Sequence, residues 1–338
     1  MTELPKILLL GNGPTSLSAL ESLTERFAVV GIVRESAEDG RDKDVVIRHA
    51  RTIGVPIYPD AGPAAVAALL RQLHPDCVVV SSYNRILRPE VLQECRFINV
   101  HYAPLPRYRG RACVNWAIIN GESCTAITIH ALVPELDAGN VLFQRFVPIG
   151  ESDTVTDIYR SLNELQKANL AVTVSRYLAG EIGEPQVEAE ATYGCTRLPQ
   201  DGEINWASTT DETFRLIRSL TDPFPGAYTY FSGRRMVVWH AEPVADPPRY
   251  SGRIPGRVIS VSQASGRVDV LTGDGILSLV GVELEGDIKR PPAEIIKSVR
   301  VTLGLCTKDL VQRISQLDME IKELRRQSNM NSSENSSS

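Results

Sequence analysis

What most constrains this chain is the alternation of strand and helix signals through its first eighty or so residues. Residues 6–10, with the apolar run Ile7 to Leu10, read as a buried strand that ends at Gly11-Asn12-Gly13, and residues 16–25 then place Leu17, Leu20 and Leu23 at helical spacing. The pattern repeats as strand 27–33, helix 44–53 closed by Gly54, strand 55–58, helix 64–73 and strand 76–81. Strands interleaved with helices of about ten residues predict βαβ units, and hence an α/β domain whose mostly parallel sheet is covered on both faces.

Further along, a strand is predicted at 97–101, followed by a Pro-rich break at 103–110 and a helix at 115–120. Strands at 126–132 and 140–149 flank a loop at 135–139, and a long helix runs over 154–178. After a connector at 183–202 the composition changes. One helix (211–219) and the turn Asp222-Pro223-Phe224-Pro225-Gly226 lead into five short strands between 227 and 282. Short strands punctuated by glycine predict a small β-barrel. The expected division is 1–190 for the larger domain, 191–204 linker, 205–304 for the small domain, 305–327 for a C-terminal amphipathic helix and 328–338 for a disordered Ser/Asn-rich tail. In that helix Leu310, Ile314, Leu317, Ile321 and Leu324 recur at spacings of 4, 3, 4 and 3. This seam of about two heptads reads either as a helix packed on its own domain or as a two-helix contact in a homodimer.

The chain of 338 residues carries 36 Lys and Arg against 41 Asp and Glu, a net charge of −5 that argues against a nucleic-acid partner. Six cysteines are scattered without a C-x-x-C pair, so no zinc site or other metal is expected, and the thiols read as reduced and mostly buried. No secretory apolar core and no apolar run of about 18 residues is present, which predicts a cytoplasmic protein with no membrane partner.

Three segments carry candidate chemistry. Gly11-Asn12-Gly13-Pro14-Thr15-Ser16 follows a strand and opens a helix, so Gly11 and Gly13 serve either a tight turn or a phosphate cradle in substrate binding. Asn99 and His101 lie two apart on a strand and share a face, and that strand runs into a rigid loop holding Tyr102, Arg107, Arg109 and Arg111. Asp137, in the loop before Gly139, is either an Asx turn residue or a carboxylate partner for His101. His49, His74, His130 and His240 show no ligand spacing and read as surface or packing residues.

These motifs, in order, resemble the formyltransferase family that uses N10-formyltetrahydrofolate. The likeness is carried by Ile98-Asn99-Val100-His101, Leu105 to Gly110, Asn115 to Glu122, Leu136-Asp137-Ala138-Gly139, Gly202 to Trp206, Arg218 and Asp222 to Ala227. The resemblance implies a Rossmann-like catalytic domain, an OB-like C-terminal domain and an Asn-His-Asp site at Asn99, His101 and Asp137. It implies N10-formyltetrahydrofolate as formyl donor, held by Tyr83, Arg85, Ile86 and Leu87 and by Val133, Leu136 and Asp137. Tyr-Arg-Gly-Arg111 is similar to the segment found in sugar-nucleotide N-formyltransferases, including the formyltransferase domain of the lipid A aminoarabinose pathway. That implies the amine of a nucleotide-linked amino sugar as acceptor, with Gly11, Gly13, Tyr102, Arg107, Arg109 and Arg111 contacting it.

Methionyl-tRNA formyltransferases differ at Tyr102-Ala103-Pro104-Leu105-Pro106 and carry a basic insertion that residues 34–44 lack. They remain the alternative, with enzymes that formylate an amino acid or peptide amine. A dinucleotide-dependent oxidoreductase would rest on Gly11 and Gly13 alone. In the expected chemistry the Asn99 amide donates to the developing oxyanion, His101 shuttles the proton, and Asp137 raises the histidine pKa and fixes its orientation.

Overall fold

The computed structural model describes residues 3–34, 43–59, 62–305 and 307–334. Residues 35–42, most of the stretch read as lacking a basic insertion, lie outside the described residues, as do Cys306 and the last four residues. The chain divides into two compact units, Met1–Leu198 and Pro199–Ser338.

In the first unit, β1 (Lys6–Gly11), β2 (Ala28–Arg34), β3 (Ile57–Pro59), β4 (Cys77–Ser81) and β5 (Arg96–His101) form a parallel sheet. The antiparallel pair β7 (Cys124–Ala131) and β8 (Val141–Pro148) extends it, giving the order β3-β2-β1-β4-β5-β7-β8. β6 (Arg109–Gly110) pairs separately with β9 (Tyr193–Gly194). Ile7 to Leu10 of β1 and Cys77 to Val80 of β4 are all buried, because helices cover both faces and leave no polar side for these strands. The helices of this unit are α1 (Gly13–Leu23), α2 (Lys43–Ile53), α3 (Pro63–Leu73), α4 (Pro89–Leu92), α5 (Cys113–Ile119) and α6 (Val155–Leu178). α6 begins at a capping box in which the Thr154 side chain accepts from the Asp157 N–H and the Asp157 carboxylate accepts from the Thr154 N–H.

Strand order reverses between β1 and β4, the point where open α/β sheets leave a crevice at their carboxyl ends. Gly11 is required there for closeness rather than for dihedral freedom. A Cβ on Gly11 would stand 1.8 Å from the Ser81 carbonyl oxygen of the neighbouring strand.

The second unit holds α7 (Thr210–Ser219) and the antiparallel strands β10 (Ala227–Phe231), β11 (Arg234–Pro243), β12 (Val258–Val261), β13 (Val268–Leu271) and β14 (Ile276–Leu284). Their order is β10-β11-β14-β13-β12, the five-stranded antiparallel sheet of the small β domain expected from the sequence. Trp206, Ile217, Met236, Val238, Leu279 and Ile296 are part of its core. Trp206 satisfies its buried indole N–H on Thr229 Oγ1 at 2.9 Å.

Two expectations change. The segment 191–204 is no bare connector, since it supplies β9 to the first unit and Ile204 to the core of the second. The terminal helix α8 (Thr307–Glu334) runs through part of the stretch expected to be disordered. No described helix is long and apolar enough to cross a membrane.

Candidate functional site

Asn99 and His101 occupy the end of β5 and share one face, as their spacing requires. The antiparallel register sets His130 of β7 opposite Asn99, and cross-strand partners of this kind touch. Asn99 Nδ2 stands 3.1 Å from His130 Nε2. The loop between β7 and β8 folds back over this face and delivers Asp137, whose φ of 49° lies in the left-handed region that Asp tolerates. The turn closes at Gly139, where a Cβ would stand 1.8 Å from the Ala131 carbonyl oxygen.

Asp137 gathers the cluster. Its Oδ1 accepts from Asn99 Nδ2 at 3.2 Å and its Oδ2 from the Gly110 N–H at 2.8 Å. His101 Nδ1 and His130 Nε2 each lie 3.6 Å from the carboxylate. Burial works against the charge, but the His130 contact, the two imidazoles and the Gly110 N–H outweigh it and hold Asp137 well below the usual carboxylate range. His101 moves the other way. Burial disfavours its charged form, yet the Cys113 thiol, the Asp137 charge and the Tyr108 carbonyl outweigh that and raise its pKa above the ordinary histidine value.

The geometry fixes which ring nitrogen of His101 is available. Its Nε2 is 2.8 Å from the Tyr108 carbonyl oxygen, which can only accept, so Nε2 carries a hydrogen. Nδ1, facing Asp137, is the nitrogen that gains or loses a proton. The orientation expected from Asp137 therefore comes from Tyr108, and Asp137 at 3.6 Å acts through its charge.

Asn99 also differs from expectation. His130 Nδ1 lies 2.9 Å from the Ala131 carbonyl and so carries a hydrogen, which leaves Nε2 as the nitrogen that faces Asn99 and Asp137. The Asn99 amide nitrogen thus already donates to Asp137 and touches His130. A rotated amide would turn its oxygen toward the ionised Asp137, so this assignment stands. His130, read from sequence as a surface or packing residue, belongs to the site.

Around this cluster lies a cleft of about 240 Å³. Tyr83, Arg85, Ile86, Leu87, Val133, Leu136 and Asp137, the residues expected to hold the donor, all line it. Ile86 is 84% and Leu136 54% exposed, apolar side chains left in water at the cleft rather than packed in the core. Arg111 also lines it, with its guanidinium donating to the Asn84 carbonyl and Oδ1 at 2.7 and 3.0 Å.

A second cavity of about 120 Å³ is lined by Thr15, Tyr102, Ala112, Cys113, Val114 and Tyr159, and shares Ser82, Val100, His101 and Gly110 with the first. The Tyr102 hydroxyl lies 2.7 Å from Asn163 Oδ1 and 2.9 Å from Gln166 Oε1, sharing its one hydrogen between two acceptors, while Gln166 Nε2 donates to the Thr15 carbonyl at 2.7 Å. Burial pushes the Tyr159 phenol up to about 12, aided by Cys113, so it remains a neutral group on this wall.

The other residues expected to contact the acceptor stand outside the walls of these two cavities. Arg109, 2% exposed, lines neither cavity. Its guanidinium grips Gln186 Oε1 at 3.0 Å and Glu188 Oε2 at 2.8 Å, and Gln186 Nε2 in turn donates to the carbonyls of Asp137 and Gly139 at 2.7 and 2.8 Å. Arg109 is thus a brace for the Asp137 loop. Arg107 pairs with Glu122 and covers the Tyr108 ring, and it too is absent from both cavity walls. Gly11 and Gly13 shape the turn into α1, with Gly13 at φ 66°, and line neither cavity. Among the free cysteines, Cys77 and Cys113 are buried, Cys95 and Cys124 half-buried, and Cys195 is exposed against expectation.

Ser82, Tyr108, Ala112 and Asp137 are non-glycine residues at positive φ, and all sit at or beside this cleft. Such conformations persist where surrounding structure over-determines them, which is common at functional sites.

Residues 33–174 match the family model described as formyl transferase, and residues 198–300 match the model described as formyl transferase, C-terminal domain. Among solved structures, HypX from Aquifex aeolicus in complex with tetrahydrofolic acid is 20% identical at a TM-score of 0.65, covering 88% of this chain and 48% of that one. The chain thus spans about half the length of the HypX structures it matches. The N-formyltransferase from Helicobacter canadensis, in complex with folinic acid and dTDP-3-aminofucose, is 15% identical at a TM-score of 0.61, covering 81% of this chain and 98% of that one. WlaRD, a sugar 3N-formyl transferase solved in the presence of dTDP and 5-N-formyl-THF, is 14% identical at a TM-score of 0.59, covering 85% of this chain and 100% of that one.

Proposed function

Because the chain belongs to the formyl transferase family, we propose that it moves the formyl group of N10-formyltetrahydrofolate to the amine of a nucleotide-linked amino sugar. The observation that carries the reaction is the convergence of His101 Nδ1, Asn99 and the ionised Asp137 on a cleft whose walls hold every residue expected to bind the donor. The mixed lining, with Ile86 and Leu136 exposed beside polar loop atoms, fits a ligand with an aromatic body and polar edges. Bound N10-formyltetrahydrofolate supplies a formyl carbon already activated as an amide.

His101 Nδ1 takes the proton from the attacking amine as the new C–N bond forms, and its imidazolium is stabilised by Asp137 at 3.6 Å. The same nitrogen returns the proton to the departing N10, so protons balance and the ring ends neutral. Asn99 turns one amide hydrogen to the formyl oxygen as that oxygen becomes negative. The longer of its two contacts, 3.2 Å to Asp137, is the one released. One such donor contributes about 3–4 kcal/mol in the transition state.

The sugar-nucleotide acceptor is supported by the lengthwise match to two sugar N-formyltransferases, each spanned almost end to end. The net charge of −5 points away from tRNA. The test is tetrahydrofolate release from N10-formyltetrahydrofolate with a panel of 3- and 4-amino-sugar nucleotides, alongside methionyl-tRNA. Turnover with one sugar nucleotide and none with tRNA is expected; turnover with tRNA alone overturns the acceptor class.

A further inference from the structure

α8 is a helix of 28 residues with Leu310, Ile314, Leu317, Ile321 and Leu324 along one line, and these side chains are between 40% and 65% exposed. Lone helices are marginal in water, and most helical stability in proteins comes from packing an apolar face. Of the two readings open from sequence, packing onto its own domain fails on this exposure.

The residue types say what covers the face. In heptad register Ile314 and Ile321 fall at a, and Leu310, Leu317 and Leu324 at d. Among parallel coiled coils, β-branched residues at a with leucine at d favour two strands over three or four. In a parallel pair, position g of one helix meets position e of the next heptad on the other. Glu320 stands at g and Arg325 at the following e, so two opposite-charge contacts form by symmetry. Within the helix, ion pairs join Asp318 to Lys322 and Glu323 to Arg326, and neither uses Glu320 or Arg325.

We propose that α8 pairs in parallel with α8 of a second copy of this chain, making a two-stranded coiled coil over residues 310–324. An antiparallel pair would set a against d and lose the Ile and Leu layers. This inference is independent of the formyl-transfer reading. The seam is only about two heptads long, so association is reversible and concentration-dependent.

The test is sedimentation equilibrium of the full chain across micromolar concentrations. The expected result is a particle of twice the 37.2 kDa chain mass that dissociates on dilution, and that Ile321→Asp abolishes while leaving tetrahydrofolate release unchanged. Glu320→Arg and Arg325→Glu should each weaken self-association about fivefold, and mixing the two variants should restore pairing. Leu324→Cys should cross-link into a covalent dimer under oxidation, because only parallel helices bring that layer against itself. A monomer at all concentrations, a trimer, or a dimer that survives Ile321→Asp overturns the proposal. A dimer that requires Ile321 but never cross-links through Leu324→Cys overturns the parallel arrangement.

Discussion

Gly139→Ala puts the geometry of the Asp137 loop under direct test. A methyl carbon there would stand 1.8 Å from the Ala131 carbonyl oxygen, and side-chain carbons in proteins essentially never come within 3.0 Å of a neighbour, so about 1.2 Å of retreat is needed. Ala131 has little freedom to move, since it pairs with Ile98 in the sheet and its N–H donates to the Asn140 carbonyl at 2.9 Å. The loop must yield instead. Asp137 lies two residues upstream, held at 2.8 Å to the Gly110 N–H and 3.2 Å to Asn99, and a shift of that size breaks both contacts. Misplacement by about 1 Å costs about a hundredfold in rate, or about 2.7 kcal/mol of transition-state stabilisation. Overpacking itself costs about 1–3 kcal/mol of stability. Steady-state tetrahydrofolate release should therefore show kcat/KM down about a hundredfold, with a melting temperature lower by several degrees. Gly252→Ala, where nothing lies within 4 Å, should leave both unchanged. If Gly139→Ala keeps kcat/KM within about threefold of the parent chain, the loop does not position the carboxylate that the chemistry needs.

His101→Ala should lower kcat by about 10²–10⁴-fold with the fold intact by circular dichroism, as loss of a proton shuttle does. Asp137→Asn should move the acid limb of kcat/KM to lower pH, because the charge that raises the His101 pKa is gone; an unmoved limb would remove Asp137 from that role. The same substitution has a stability signature in urea titrations. The folded Asp137 pKa is depressed, so its contribution is present above the ordinary carboxylate value and is lost as pH falls through the folded one. The gap between Asp137→Asn and the parent chain should accordingly close in acid. Arg109→Ala leaves the Gln186 oxygen without its buried donor and should cost about 1–3 kcal/mol of stability. It should also lower kcat more than it raises the acceptor KM, whereas a direct acceptor contact would show mainly in KM.

The parallel sheet was legible because its strands are nearly unbroken apolar runs, and the placement of Asn99 with His101 followed from a two-residue period. His130 was hidden because its role depends on register. Only the antiparallel pairing of β7 with β5 sets it against Asn99, and a lone histidine on an apolar strand has the same local pattern without that neighbour. The partners of Arg109 were hidden for a related reason. Three arginines in one short loop look alike in sequence, and what turns Arg109 inward is a pair of partners, Gln186 and Glu188, more than seventy residues away. The tail shows the opposite error. Ser- and Asn-rich composition suggested disorder from residue 328, yet the helix begun at Thr307 continues to Glu334.

The shared wall between the two cavities has a kinetic consequence. On the proposed function, with His101 opening onto both cavities, a donor in one and an amine in the other would meet at one imidazole, and neither would have to leave before the other enters. Initial-rate plots should then intersect as for a sequential mechanism. Labelled tetrahydrofolate should not exchange into the donor until an acceptor is present, because no group on this chain has to carry the formyl unit between two half-reactions.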